Sequence, residues 1–429
     1  MSERPLPPKG IPWPELRREL EDAQSADCPW TRGMFGLWWP NPSPEMLRIS
    51  KEAFELFAHG SLLYAPWVPS IHKIESELEG MVQELLRAPA GAATTLTSGG
   101  TESNFLALKT ARDWARENRP QAERPEIVAP HTAHPTINKA AHFLGLGVVR
   151  VPAGPDYRAD VKAMAQAITS NTVMLVGSAP PYTHGRVDDV PALAELASGH
   201  GLWLHVDACV GGFLAPFLRK LGRAVPEFDF AVPGVFSVSA DLHKFAYCLM
   251  GVSSVTLRDR ALLAHQRFEF SDWPYGKYRS KAFAGSRPAG IAAAAWALMR
   301  YLGEDGYLSI ARDILRTTEL FVSGIRAIRG LELLAEPELG IINVIGPELD
   351  MMAVADAMTA RGWPVARFEQ PPAIHLLMDR VDDDSVIHDF LKELARAVEE
   401  VRSGRVRRSG TGLGYQAPST GAEGPTEPA

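Results

Sequence analysis

Apolar residues recur at helical spacing over the first well-patterned part of the chain, with Met46, Ile49, Phe54 and Phe57 in one stretch and Ile71, Ile74, Leu78, Met81, Leu85 and Leu86 in the next. That period predicts two early helices. From residue 92 the pattern changes to short apolar runs, at 92–96, 126–129, 147–151, 173–178 and 202–206, with helical stretches between them. Such runs predict strands of a parallel sheet covered on both faces. The runs 234–238 and 253–257 continue the sheet, the second as an antiparallel strand. From about Gly303 a long amphipathic helix leads into runs at 331–334, 341–345 and 374–378, with helices between and after them, which predicts a second, smaller α/β domain.

The ends read differently. Residues up to about Ser43 are rich in proline and carry Phe35, Trp38 and Trp39, the pattern of an extended arm that packs on a partner subunit. After Val401 the chain turns to Arg, Gly, Ser, Thr and Pro, a disordered composition that nevertheless contains Tyr415. The expected organisation is therefore an arm and helix at 1–60, a large domain at 61–302, a small domain at 303–401 and a tail at 402–429.

With 429 residues, 46% of them hydrophobic, the chain can bury a substantial core. Its formal net charge of −7, from 44 basic and 51 acidic residues, gives no basic excess for nucleic acid or an anionic membrane, so a small soluble ligand is expected. Cys28, Cys209 and Cys248 lie far apart with no metal-ligand spacing, which points to neither a disulfide framework nor a metal site and fits a reducing cytoplasm. The longest apolar run, Ala289 to Met299, is bounded by Arg287 and Arg300 and is too short to cross a bilayer. No apolar signal core opens the chain.

Three stretches carry candidate chemistry. Lys244, in Ser239-Ala240-Asp241-Leu242-His243-Lys244-Phe245, supplies an amine able to form a Schiff base, and burial beside a cationic cofactor is expected to lower its pKa. Asp207 ends the run Leu204-His205-Val206-Asp207, where a buried carboxylate needs a partner such as a pyridinium nitrogen. Ala208, with almost no side chain, lets a ring lie close. Thr97-Ser98-Gly99-Gly100-Thr101 follows a strand and opens a helix, so backbone amides and the Thr101 hydroxyl can receive a phosphate. Its spacing is neither a Walker loop nor a dinucleotide fingerprint. Together the three describe a pyridoxal 5'-phosphate site.

Each piece also has a plainer reading. A lone lysine is ordinarily a surface group, Asp207 can cap a turn, and a Gly-Gly pair is a turn signal. His134 is placed either to stack on the cofactor ring and move protons or to serve as a structural histidine. Ser178, before Pro180-Pro181-Tyr182, is placed to meet the ring's phenolic oxygen or to cap a strand end. His243 is placed to touch the cofactor phosphate.

With these residues in view the chain resembles the group II pyridoxal-phosphate decarboxylase superfamily, and within it the sphingosine-1-phosphate lyases. The resemblance covers about residues 45–400 and rests on the stretches 97–107, 125–141, 204–213, 238–244, 284–288 with Gly290, 303–307 and 371–375. It implies a fold-type I, aspartate aminotransferase-like α/β fold with a large doubly wound, mostly parallel sheet, assembled as a homodimer with shared active sites. It implies Lys244 as the Schiff-base lysine, Asp207 as the pyridine partner and His134 as the ring-stacking histidine. Gly100, Thr101 and His243 correspond to phosphate contacts, and Gly285 and Ser286 to contacts made from the second subunit. Tyr278, Tyr182 and Tyr415 correspond to tyrosines for proton transfer and substrate positioning, Tyr415 from a tail that reaches the site.

The resemblance implies retro-aldol cleavage of a β-hydroxy amine or amino acid to an aldehyde. An amino-acid decarboxylase shares the same lysine, aspartate and electron sink and remains the alternative, and a non-catalytic binding protein is the alternative of another class. Two departures concern the substrate. Leu63-Tyr64-Ala65-Pro66-Trp67 stands where the lyases have a His-Pro turn at the substrate entrance. Met250, in Tyr247-Cys248-Leu249-Met250-Gly251, stands where they have a lysine that contacts substrate phosphate, and a methionine cannot pair with phosphate. Lys277, Arg279 and Lys281, around Tyr278, and Arg367, just before the Pro371-Pro372 turn, are cations able either to replace it or to be surface charge.

Overall fold

The computed structural model describes residues 6–25 and 41–408. Seven apolar runs form one sheet: β1 (Ala93–Thr97), β2 (Glu126–Pro130), β3 (Gly147–Val151), β4 (Thr172–Ser178), β5 (Trp203–Asp207), β6 (Val235–Ala240) and β7 (Ser253–Leu257). The strand order is β1-β7-β6-β5-β4-β2-β3. β3, β2, β4, β5 and β6 run parallel, while β7 is antiparallel to both β6 and β1. Every residue of β4 and β5 is buried, which explains why these strands read as unbroken apolar runs rather than alternating ones.

Helices cover the sheet. The one from Gly100–Asn118 starts directly after β1, and its face with Leu106, Ala107, Leu108 and Ala111 is buried. The two early helices form as the periodicity predicts, at Pro44–Leu56 and Pro69–Leu85, each with proline in its first turn, where the missing N–H costs nothing. The long helix begins earlier than its amphipathic pattern suggests, spanning Ala289–Ala327 with a break at Gly303, whose φ of 56° is open to glycine. Its first half, Ala289 to Met299, is buried on most sides, so the helical period is hidden by alanine.

A two-stranded hairpin of β8 (Phe268–Phe270) and β9 (Tyr278–Ser280) lies between the sheets in sequence. Its strands are three residues long and mostly exposed, so no apolar alternation marks them. The small sheet comprises β10 (Glu332–Leu333), β11 (Ile341–Ile345), β12 (Ala366–Glu369) and β13 (Pro372–Leu377) in the order β10-β11-β13-β12, all antiparallel. β12 escaped the sequence reading because it is a half-buried edge strand. The small sheet is fastened to the large one at Gly185, where an added Cβ would lie 2.5 Å from that of Ile341.

The proline-rich start is not wholly extended. Residues Trp13–Gln24 form a helix with none of its residues buried, because Glu, Leu, Arg and Ala follow the prolines. Phe35, Trp38, Trp39, Cys28 and Tyr415 lie outside the described residues. No helix among the described residues is long and apolar enough to cross a membrane.

Candidate active site

The C-terminal ends of the parallel strands bring the candidate residues together, the place where open α/β sheets bind ligands. Asp207 closes β5, Ser178 closes β4, and the segment Asp241 to Lys244 follows β6. β2 ends at Pro130, and the turn after it carries Thr132 and His134.

Asp207 is buried, and its carboxylate is held from three sides. Oδ2 accepts from Asn104 Nδ2 at 2.9 Å, while Oδ1 accepts from Cys209 N at 3.1 Å and lies 3.4 Å from the Ser239 hydroxyl. Burial opposes its charge, but the Cys209 side chain, the attraction of His134 and His205, and the Asn104 side chain outweigh it and lower its pKa. His134 is pushed towards its neutral form chiefly by burial, against the pull of Asp207. Its Nδ1 accepts from Thr136 N at 3.2 Å and lies 3.0 Å from Thr136 Oγ1.

Lys244 meets a partner that the sequence reading did not single out. Its Nζ lies 2.9 Å from Oδ2 of the buried Asp241, three residues earlier. Burial opposes the ammonium, yet attraction to Asp241 outweighs it and raises its pKa above the ordinary lysine value. Asp241 also accepts from Ser253 Oγ and sits 3.7 Å from His243 Nε2. Its signal in the sequence was an acid one helical turn before the lysine. After Lys244 the chain turns sharply: Tyr247 N donates to Lys244 O at 2.8 Å, and Tyr247 takes φ of 60°, a costly conformation for an aromatic residue.

The glycine turn lies against this group. A Cβ on Gly99 would stand 3.6 Å from His243 Cε1, and one on Gly100 would stand 2.7 Å from Cys209 Sγ and 3.0 Å from both Asp241 oxygens. Gly100→Ala is therefore expected to lose roughly 1–3 kcal/mol of stability through overpacking. Urea denaturation checks this, and an unchanged midpoint would contradict it.

The donor set fits pyridoxal 5'-phosphate. Ser178 Oγ, Thr132 Oγ1 and His243 Nδ1 are buried polar atoms without hydrogen-bond partners at these strand ends, and a bound phosphate or phenolic oxygen could meet them. Asp207 supplies an anion for a pyridinium, Ala208 is fully buried beside it, and the helix opening at Gly100 presents free amides. Ser178 is fixed by its own amide, which donates to Asp188 Oδ2 at 2.7 Å.

A family model described as the pyridoxal-dependent decarboxylase conserved domain matches residues 61–344. The chain belongs to that family. It is 36% identical to a sphingosine-1-phosphate lyase of Arabidopsis thaliana over 98% of this chain and 77% of the relative. It is 34% identical to a probable L-tyrosine/L-aspartate decarboxylase of Methanothermobacter thermautotrophicus over 77% of this chain and 87% of that one. The solved sphingosine-1-phosphate lyase of Burkholderia pseudomallei superposes with a TM-score of 0.89 at 36% identity, covering 94% of each chain. The fold is thus fold-type I, and the protein is a pyridoxal-phosphate-dependent lyase.

The other candidate residues form separate groups. Tyr182 packs on His375 at 4.7 Å between ring centres, and the neighbouring Thr183 hydroxyl donates to Thr132 O at 3.4 Å, which ties Tyr182 to the turn bearing His134. Tyr278 lies on β9, with its hydroxyl 3.9 Å from where a Gly285 Cβ would be; Ser286 is exposed. Thr101 is exposed at the helix start. Met250 is 46% exposed. The four candidate cations are all paired: Lys277 and Arg279 with Glu269 at 2.5 and 2.6 Å, Lys281 with Glu79 at 2.8 Å, and Arg367 with Asp356.

Proposed function

We propose that this lyase cleaves the carbon–carbon bond between the amine-bearing and hydroxyl-bearing carbons of a β-hydroxy amine or β-hydroxy amino acid, releasing an aldehyde. The observation that carries the reading is the 36% identity to a sphingosine-1-phosphate lyase over nearly the whole chain, with Lys244, Asp207, His134 and the glycine turn all present. When bound, pyridoxal phosphate supplies an aldehyde that takes up amines and a ring that accepts the electron pair of the broken bond.

In this reading Lys244 is the amine that anchors the cofactor, and Asp207 holds a proton at the pyridine nitrogen. Gly100, Thr101 and His243 receive the phosphate, and Ser178 donates to the phenolic oxygen. Ala208 would leave room for the ring, and His134 would lie against it and move protons at the substrate. Tyr182, tied to the His134 turn through Thr183, is supported as a second proton-handling group. Gly285, Ser286 and Tyr278 would serve the site of a second subunit in a homodimer. Exposed Phe268, Trp273, Tyr275 and Phe283 in the same segment support a covered surface there. Tyr415 is assigned to the tail on the resemblance alone. We place the large domain at 61–302 and the small one at 303–401, on the break at Gly303, and the protein in the cytoplasm, on the free buried thiols of Cys209 and Cys248.

Met250 and the paired cations leave no free positive charge of this chain, among those considered, for a substrate phosphate. A charge-assisted hydrogen bond contributes about 1.5–3 kcal/mol, so its loss removes roughly ten- to a hundredfold of discrimination. Incubation with sphingosine phosphate, sphingosine and a panel of hydroxy amino acids is expected to yield aldehyde without carbon dioxide, with the phosphate ester preferred by less than about tenfold. Carbon dioxide as the product would instead establish the decarboxylase reading, which the 34% identity to a probable amino-acid decarboxylase favours. A strong preference for the phosphate ester over every unphosphorylated amine would overturn the inference from Met250.

A further inference from the structure

Asn104 lies in the first turns of the helix Gly100–Asn118, buried beneath the cofactor residues, and every hydrogen and lone pair of its amide is engaged. Nδ2 donates to Asp207 Oδ2 and to Thr136 Oγ1, both at 2.9 Å. Oδ1 accepts from Ser239 Oγ at 2.9 Å and faces His205 Nε2 at 3.0 Å. A carboxylate has only acceptors, so the NH₂ must be the end that faces Asp207 and the oxygen the end that faces His205.

That single orientation propagates outward. An amide oxygen opposite His205 requires the proton on Nε2, and burial keeps this ring neutral, its pKa lowered to about 4. Nδ1 is then an acceptor, met by Ser237 Oγ at 2.9 Å, and that hydroxyl in turn accepts from Trp203 Nε1 at 2.9 Å. Indole, hydroxyl, imidazole and amide thus donate in one direction, from the core towards Asp207. On the other side Thr136 Oγ1 accepts from Asn104, so its own proton is free for His134 Nδ1, 3.0 Å away, which already accepts from Thr136 N. His134 in its neutral form therefore carries its proton on Nε2.

We propose that Asn104 is a positioning residue: its amide delivers the end of this donor chain to Asp207, holds Thr136 beside His134, and sets which ring nitrogen of His205 carries the proton. The proposal rests on the reading of Asp207 and His134 as cofactor residues. Serial donors polarise one another, and outer partners of this kind orient the groups that touch a cofactor. No local pattern marks Asn104, since Asp207 lies 103 positions away.

The test compares Asn104→Leu, close in shape and apolar, with Asn104→Asp, close in shape but unable to donate when ionised. Asn104→Leu is expected to lower kcat by about ten- to a hundredfold with KM within about threefold. Asn104→Asp, which sets a second carboxylate against Asp207, is expected to weaken pyridoxal phosphate binding more than Asn104→Leu does. Nitrogen NMR of histidine-labelled full-length chain should find Nε2 protonated in His134 and His205 of the parent, and a changed Nδ1 to Nε2 proton ratio at His205 in Asn104→Leu. Unchanged kcat in Asn104→Leu, or the same ring protonation in parent and variant, overturns the proposal. Because ring protonation is read without cofactor, a parent that binds no pyridoxal phosphate would strike the functional reading and leave this result to stand separately.

Discussion

Lys244→Ala is expected to abolish the visible absorbance that the parent develops with pyridoxal phosphate and to reduce aldehyde release by at least about a thousandfold, since no other amine lies in the strand-end cluster described here. The same change leaves Asp241 buried without its counter-ion, with Ser253 still donating to it. Removing one partner of a buried pair is destabilising, so the variant should also melt lower than the parent. The combination Lys244→Ala with Asp241→Asn separates the two effects: it should recover most of the thermal stability and none of the activity. Absorbance titration, product assay and thermal melting check the three parts. Activity retained within tenfold in Lys244→Ala would refute the assignment of the amine.

The second large effect is expected at Asp207. Asp207→Ala removes the acceptor on which the Asn104 and Cys209 donors converge and the anion proposed to hold a pyridinium proton. Breaking a buried ionic contact by removing one partner typically costs about 3–5 kcal/mol, so the dissociation constant for pyridoxal phosphate should rise by roughly a hundredfold to several thousandfold. The sign with pH is fixed by the lowered pKa of this carboxyl. Its contribution to folding is present above the ordinary aspartate range and is lost as pH falls through its lowered folded value. The parent should therefore lose more stability than Asp207→Ala on strong acidification, measured by urea titration at each pH. Equal cofactor affinity in parent and variant would remove Asp207 from the site.

Most of the large sheet was legible because its strands are short, apolar and buried on both faces, so hydrophobicity alone marks them. β3, β7 and β11 have the predicted bounds, and β7 is antiparallel as expected. The hairpin of β8 and β9 was not legible, since exposed strands of three residues carry no periodic signal. The long helix was placed too late because its alanine-rich first half is buried nearly all round and has no polar face to count.

The site divides in the same way. Lys244, Asp207, Gly100 and His243 stood out as candidates because their chemistry is unusual at a strand end: a lysine after histidine, an acid closing an apolar run, two glycines opening a helix. Asp241, Asn104 and Thr132 were not assigned, although each is buried at the strand ends or beneath them. Their importance lies in what they face, and those partners come from other strands.

The sequence by itself determined the family and the cofactor, and it singled out Lys244 as the amine proposed to meet that cofactor, because a few residue types in fixed local order suffice for that chemistry. Tertiary structure decided which charges oppose each other: it paired Lys244 with Asp241, engaged Lys277 and Lys281 with acids, and placed Asn104 between Asp207, His205 and Thr136. Hydrogen bonds and ion pairs act over about 3–4 Å, a range set by the folded chain and independent of separation along it.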